Sequence, residues 1–317
     1  MTMNFELKQN ALLIADEVTS ALASGVPVVA LESSIIAQGL PYPLNLRTAL
    51  EVEATVREQG AMPATIGVID GNIVVGMNRG QIETFAASTR MLKLSCADLP
   101  AAVACGHSGA TTVATTLLCS RLARIDVIAT GGMGGVHRRH FELLDISRDV
   151  VQLSQSSSIV VASGIKAILD IANSLEILET LGVSVVTYGS REFPAFWSTS
   201  SGIESPLFLD DTRQIAATLL ARRQLGLDGG VLVANPIATT DEISRSEIEP
   251  WIESALAEAR KEGVGGKQIT PFLLARLYQL SEGRTVDANR KLVVANAALA
   301  ARIANDLDDC RYKAAGR

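Results

Sequence analysis

Two hydrophobic rhythms alternate along this chain. Short apolar runs rich in valine and isoleucine predict strands: VPVVALE at 26–32, ATIGVI at 64–69, NIVVGM at 72–77 and IDVIAT at 125–130. The same reading places strands at 91–95, 158–163 (SIVVAS), 183–188 (VSVVTY) and 230–234 (GVLVA). Between most of them, apolar residues recur at helical spacing, over residues 5–23 and over 44–59 up to Gly60, and the last sixty or so residues read as helices. Asp70-Gly71 separates two strand-like runs and predicts a tight hairpin, because Asp-Gly supplies the positive φ values that such a turn needs. The alternation predicts an α/β fold, a layered, mostly parallel sheet flanked by helices. No linker, repeat or compositional boundary interrupts the chain, so residues 1–317 are read as one domain.

Composition narrows the function classes. Hydrophobic residues make up 48% of the chain and aromatics only 4%, so Ala, Val, Ile and Leu fill the core. The formal charge is −6 and the basic residues are scattered, which argues against a nucleic-acid groove but leaves room for a small phosphorylated ligand. Cys96, Cys105, Cys119 and Cys310 show no CxxC spacing and read as buried thiols in a reducing compartment. The amphipathic, acidic start lacks the features of a signal peptide, and no apolar run spans a bilayer. A cytoplasmic location is expected.

Lysine usage carries the first chemical signal. Between Lys8 and Lys261 only Lys93 and Lys166 occur, both in apolar surroundings, in a stretch that otherwise uses arginine. A lysine in a low-dielectric pocket can become a neutral amine and attack a carbonyl carbon, which arginine cannot do. The bland alternative is a lysine snorkelling from a helix end. Unusual residues also gather at the carboxyl ends of predicted strands, where α/β sheets bind ligands: Glu32, Gly131-Gly132, Lys166 and Asn235-Pro236.

Four segments extend that signal. CGHSGATTVATT at 105–116 opens a helix, and the amides near Ala110 with the hydroxyls of Ser108, Thr111 and Thr112 could cradle a phosphate. ATGGMGGVHRR at 129–139 reads as a mobile or sharply bent loop followed by His137, Arg138 and Arg139, an anion site. DISRD at 145–149 offers Asp145 either as a helix N-cap or as a carboxylate for Mg²⁺ or Mn²⁺. Glu32 ends an apolar strand, as a desolvated proton donor with a raised pKa or as a salt-bridged strand end.

Taken in order, VPVVALESSIIAQGLPYP, KLSCADLP, GHSGATTVATT, IATGGMGGVHR, DIS, GIKAILD, GGVLVANPI and VDANRKLVVANA resemble the pseudouridine-5′-phosphate glycosidase, or indigoidine synthase A-like, family. The resemblance runs from about residue 26 to residue 300. It implies reversible cleavage of the C–C glycosidic bond of pseudouridine 5′-phosphate to ribose 5-phosphate and uracil through a lysine Schiff base. A bound divalent metal, usually Mn²⁺, and a homotrimer are also implied. By the same resemblance Lys166 is the nucleophile, Glu32 the proton donor and Asp145 the metal ligand. Lys93, Thr112, Val113 and the stretch Ser147, Arg148 and Asp149 fall at substrate-binding positions, with His137 in the ribose-phosphate pocket and Asn289 at the uracil. Departures cluster at 138–148: Arg139, His140 and Phe141 stand where the family has small residues, Leu143 and Leu144 precede the aspartate, and Arg148 replaces alanine. His107 stands where lysine is familiar.

These departures motivate an alternative, a family paralogue acting on a different C-riboside in a pigment or natural-product pathway. A nucleotide-binding oxidoreductase is opposed by the lack of a GxGxxG opening the first helix after a strand. A non-catalytic binding protein would have no use for Lys166 together with Glu32, Lys93 and Asp145.

Overall fold

In the computed structural model, which describes residues 11–138 and 145–314, one twisted sheet organises the chain. Its main path runs Leu12–Ile14, Asn72–Val75, Met62–Ile69, Val28–Glu32, Val127–Ala129, Ile159–Ala162, Val231–Ala234, Ser184–Tyr188 and Leu207–Leu209. Every neighbouring pair on this path is parallel except the hairpin Met62–Ile69 with Asn72–Val75. At its tip Asp70 and Gly71 have φ of 48° and 75°, the positive values that this dipeptide tolerates.

The four central strands are buried at every position, so helices cover both faces and no alternation of polar residues is needed. The helix Val113–Leu122 packs on Val28–Glu32 and Met62–Ile69. The long helix Arg284–Ala314 crosses Val28–Glu32, Val127–Ala129 and Ile159–Ala162, and also packs against the helices Leu44–Glu58 and Thr212–Gln224. None of the described helices is long and apolar enough to cross a membrane.

Register aligns the strand ends. Leu31 pairs with Ala129, Ala129 with Val161, and Ala162 with Ala234. The next residues, Glu32, Thr130, Ser163 and Asn235, therefore emerge along one edge. Asn296, wholly buried on the long helix, ties that edge together. Its Nδ2 donates to the carbonyls of Thr130 (2.8 Å) and Gly131 (3.2 Å) and to Ser163 Oγ (3.1 Å), while its Oδ1 accepts from Asn235 Nδ2 (3.0 Å).

Three local expectations change. The apolar residues Leu12–Ile14 form an edge strand beside Asn72–Val75, so the predicted helix over 5–23 is confined to Asp16–Ser24, and residues 5–10 lie outside the described region. Gly109–Thr111 is a strand paired with Met62–Ile69 and with Leu92–Leu94, rather than the start of a helix. Of the four thiols only Cys119 is buried, its pKa pushed up to about 12 by desolvation, whereas Cys105 is exposed.

Asn296→Ala should cost about 2–4 kcal/mol of stability, because the buried Thr130 carbonyl loses its donor and Asn235 its acceptor; urea unfolding measures this. Burial pushes the Glu53 carboxyl above its ordinary value, against a hydrogen bond from Thr65 and the charge of Arg57. The native state therefore holds this proton more tightly than the unfolded chain, and the contribution to stability is lost as pH rises through the folded pKa. Glu53→Gln should melt above the wild type at neutral pH, with the gap closing below about pH 4.

Candidate active site

Two adjoining cavities lie beyond the strand ends and share Glu32, Ser34, Lys93, Lys166 and Thr270 in their walls. The larger, about 290 Å³, is polar and is also lined by Thr112, Val113, His137, Asp145, Ser147, Arg148 and Asp149. The smaller, about 60 Å³, is mostly apolar, walled by Ile35, Phe196, Leu274 and Leu292, with the amides of Gln38 and Asn289. Every position that the family resemblance assigns to catalysis, substrate binding or a metal lines one of these two lobes.

Glu32 is 7% exposed and makes no ion pair among the described residues. Two hydroxyls hold it instead: Ser34 Oγ donates to Oε2 at 2.5 Å, and Thr130 Oγ1 donates to Oε1. Thr130 also gives its carbonyl to Asn296, so the carboxylate is anchored to the clamp across the strand ends. Lys166 stands on the turn after Ile159–Ala162. Its amide donates to the Met133 carbonyl at 3.1 Å and its own carbonyl accepts from Leu169 at 2.9 Å. No hydrogen bond or ion pair engages its ammonium among the described residues.

The two Gly-Gly pairs explain how this lysine is packed. A Cβ on Gly132 would lie 2.5 Å from the Phe196 ring and 3.2 Å from Lys166 Cγ. On Gly134 it would lie 2.2 Å from Ser147 Oγ, and on Gly135 2.2 Å from Ser174 Oγ. These glycines are needed for close approach rather than for positive φ. The loop is tightly packed at these glycines.

Asp149 is 5% exposed and accepts from two backbone amides, Ala114 (2.8 Å) and Gly134 (2.9 Å). It ties the glycine loop to the first turn of the helix Val113–Leu122, where a carboxylate also meets the positive end of the helix dipole. His137 pairs with Leu169 in a short antiparallel ladder. Burial lowers its pKa below the ordinary histidine value, Asp145 opposes this, and the charges of Lys166 and Lys93 lower it further. Asp145 Oδ2 lies 3.9 Å from His137 Nε2.

Several expectations are corrected. Arg138 faces away from the polar lobe, bonding to Glu249, to Glu253 (2.8 Å) and to the Ala167 carbonyl (2.7 Å), so it is not a phosphate clamp. Of the expected phosphate cradle only Thr112 and Val113 reach the cavity. Ala110 is in a strand, Thr111 Oγ1 bonds to Ile66 O (2.9 Å), and Ser108 supports the hairpin through the Asp70 amide (2.9 Å). Asp145 is not a cap, because Ser147 caps the helix Arg148–Ser154 and Ile146 bridges to Val136. His107 is exposed beside the hairpin and lines neither lobe. Arg139, His140, Phe141, Leu143 and Leu144 lie outside the described residues.

Sequence reasoning missed Ser34, Thr130, Gln38, Phe196, Thr270 and Asn296. Phe196 had a signal, an adjacent Phe-Trp pair in a chain poor in aromatics. It is buried with φ of 61°, a strained conformation for a bulky residue, and meets Trp197 edge-on at 4.8 Å between ring centroids.

The family model described as "Indigoidine synthase A like protein" matches residues 17–306. A pseudouridine-5′-phosphate glycosidase of Paracoccus denitrificans is 52% identical over 295 residues, covering 92% of this chain and 97% of the relative. One from Roseobacter denitrificans is 51% identical over 291 residues, covering 92% and 94%. Among solved structures, the prealnumycin C-glycosynthase AlnA in complex with ribulose 5-phosphate superposes with a TM-score of 0.89 at 37% identity, covering 96% of this chain and 99% of that one. An indigoidine synthase A-like protein from Thermotoga maritima gives 0.87 at 32% identity, covering 97% and 100%. The chain belongs to the indigoidine synthase A-like family.

Proposed function

We propose that this enzyme is a pseudouridine-5′-phosphate glycosidase that cleaves, reversibly, the C–C bond between ribose 5-phosphate and uracil. The observation that carries the reading is the junction of the two lobes, where an unpaired lysine amine and a hydroxyl-held carboxyl group share one space. The polar lobe suits the sugar phosphate, with Lys93, Arg148, Ser147, Thr112 and the Val113 backbone as its contacts. The apolar lobe suits a planar base.

A carbon leaving group cannot be released simply by protonating a heteroatom, as in ordinary glycosidases. Glu32 protonates the ring oxygen as the Lys166 amine adds to C1′ of the opening sugar. The nitrogen lone pair then forms the C1′ iminium, the bond from C1′ to the base breaks, and its electron pair returns to the pyrimidine ring, which takes up a proton. Water hydrolyses the iminium, giving ribose 5-phosphate and the free amine. His137, whose pKa is lowered by burial and the nearby lysines against the pull of Asp145, suits hydrogen bonding to the sugar.

A divalent cation such as Mn²⁺ fits the same reading. No group of three His, Cys, Asp or Glu side chains able to hold a metal occurs among the described residues, so Asp145, 40% exposed in the polar lobe, would hold the ion with water completing its shell. When bound, the cation supplies positive charge beside the sugar phosphate. The homotrimer belongs to the same proposal. Similarity to AlnA favours one second reading, a C-glycosynthase joining a pentose 5-phosphate to another acceptor.

Uracil release from pseudouridine 5′-phosphate, with borohydride trapping and intact mass, tests the proposal. A ribose-phosphate adduct mapped to Lys166 is expected; no uracil, but an adduct from ribose 5-phosphate alone, would favour the second reading. Lys166→Ala should lower turnover by at least about 10⁴-fold with an unchanged melting temperature, and near-normal activity would remove the Schiff base. Asp145→Ala should abolish the response of activity to Mn²⁺; an unchanged response places the metal elsewhere.

A further inference from the structure

The apolar lobe contains a buried acceptor that the mechanism above does not use. Gln38 sits on a single turn of π-helix, Ile35–Gly39, just after the Glu32 strand. Its Nε2 donates to the Met91 carbonyl at 3.0 Å. That carbonyl can only accept, so the amide orientation is fixed and Oε1 faces the other way. Oε1 is buried and has no hydrogen-bond partner. An acceptor left this way costs stability until a donor arrives.

Asn289, which also lines the lobe, is fixed in the opposite sense. The Trp197 indole N–H, which can only donate, gives its hydrogen to Asn289 Oδ1 at 2.6 Å. The Nδ2 of Asn289 is therefore turned away from the indole, with no protein partner among the described residues. The residues lining the lobe thus include a buried acceptor without a partner and an oriented donor, among apolar walls that include the Phe196 ring.

We infer that Gln38 is a specificity-determining residue that reads the base: its Oε1 accepts a ring N–H while Asn289 Nδ2 donates to a ring carbonyl. The ligand class is a planar heterocycle with an amide edge, N–H beside C=O. Uracil presents such edges at N1 and N3; an aromatic acceptor without a ring N–H leaves the Gln38 oxygen unpaired. The inference rests on the C-glycosidase reading and adds the residue that selects the base.

The test is C-nucleoside 5′-phosphate formation from ribose 5-phosphate with uracil, 1-methyluracil or 3-methyluracil, using the wild type, Gln38→Leu and Gln38→Glu. The wild type should reject one of the methylated bases. Gln38→Leu should raise KM for uracil about 10- to 100-fold and lose that discrimination, while the borohydride-trapped adduct with ribose 5-phosphate forms as before. Gln38→Glu keeps an acceptor and should stay within about tenfold of the wild type. If Gln38 served only to anchor Met91, both variants would fail alike, which overturns the inference. So does a Gln38→Leu enzyme with unchanged KM and discrimination. A wild type that forms the ribose 5-phosphate adduct but joins no uracil removes the underlying substrate reading, and this assignment with it.

Discussion

One buried amide holds the site together. Asn296 puts a donor group and an acceptor group, without any net charge, where the carboxyl ends of parallel strands leave their last backbone groups unpaired. Burying a charge there would cost far more, and an apolar residue would leave the Thr130 carbonyl without its donor. Thr130 then passes the constraint on, because its hydroxyl holds Glu32. The carboxyl group assigned to proton donation is thus positioned by the residue that closes the sheet edge.

The opposite wall depends on missing side chains. Gly132 lets Phe196 and Lys166 approach the backbone, and Gly134 and Gly135 admit Ser147 and Ser174. Asp149 fixes this loop by accepting from Gly134 and from Ala114 on the neighbouring helix. A lysine flanked by such a surface stays aligned without paired charges, which leaves its nitrogen available for the proposed bond formation.

The division into a polar and an apolar lobe separates two tasks. The polar lobe, with its cations, hydroxyls and helix terminus, suits a sugar phosphate common to several reactions. The apolar lobe suits the group joined to C1′ in the proposed reaction, and relatives with one scaffold can diverge there. Similarity to both glycosidases and a C-glycosynthase is consistent with that arrangement.

The sequence alone determined the alternation of strands and helices, the hairpin at Asp70-Gly71 and the chemical identity of Lys166, Glu32 and Asp145. Those features are local: periodicity, turn chemistry and residue type act over a few neighbouring positions. Only the tertiary structure decided how each group is used. Arg138 looks like an anion ligand until Glu249 and Glu253 appear from a helix more than a hundred residues away. Gly109 looks like part of a phosphate loop until Leu94 is found where its Cβ would be. Asn296 and Gln38 are inconspicuous in the chain, because a polar residue acquires meaning from the partners that burial gives it or withholds, and those partners are distant in sequence.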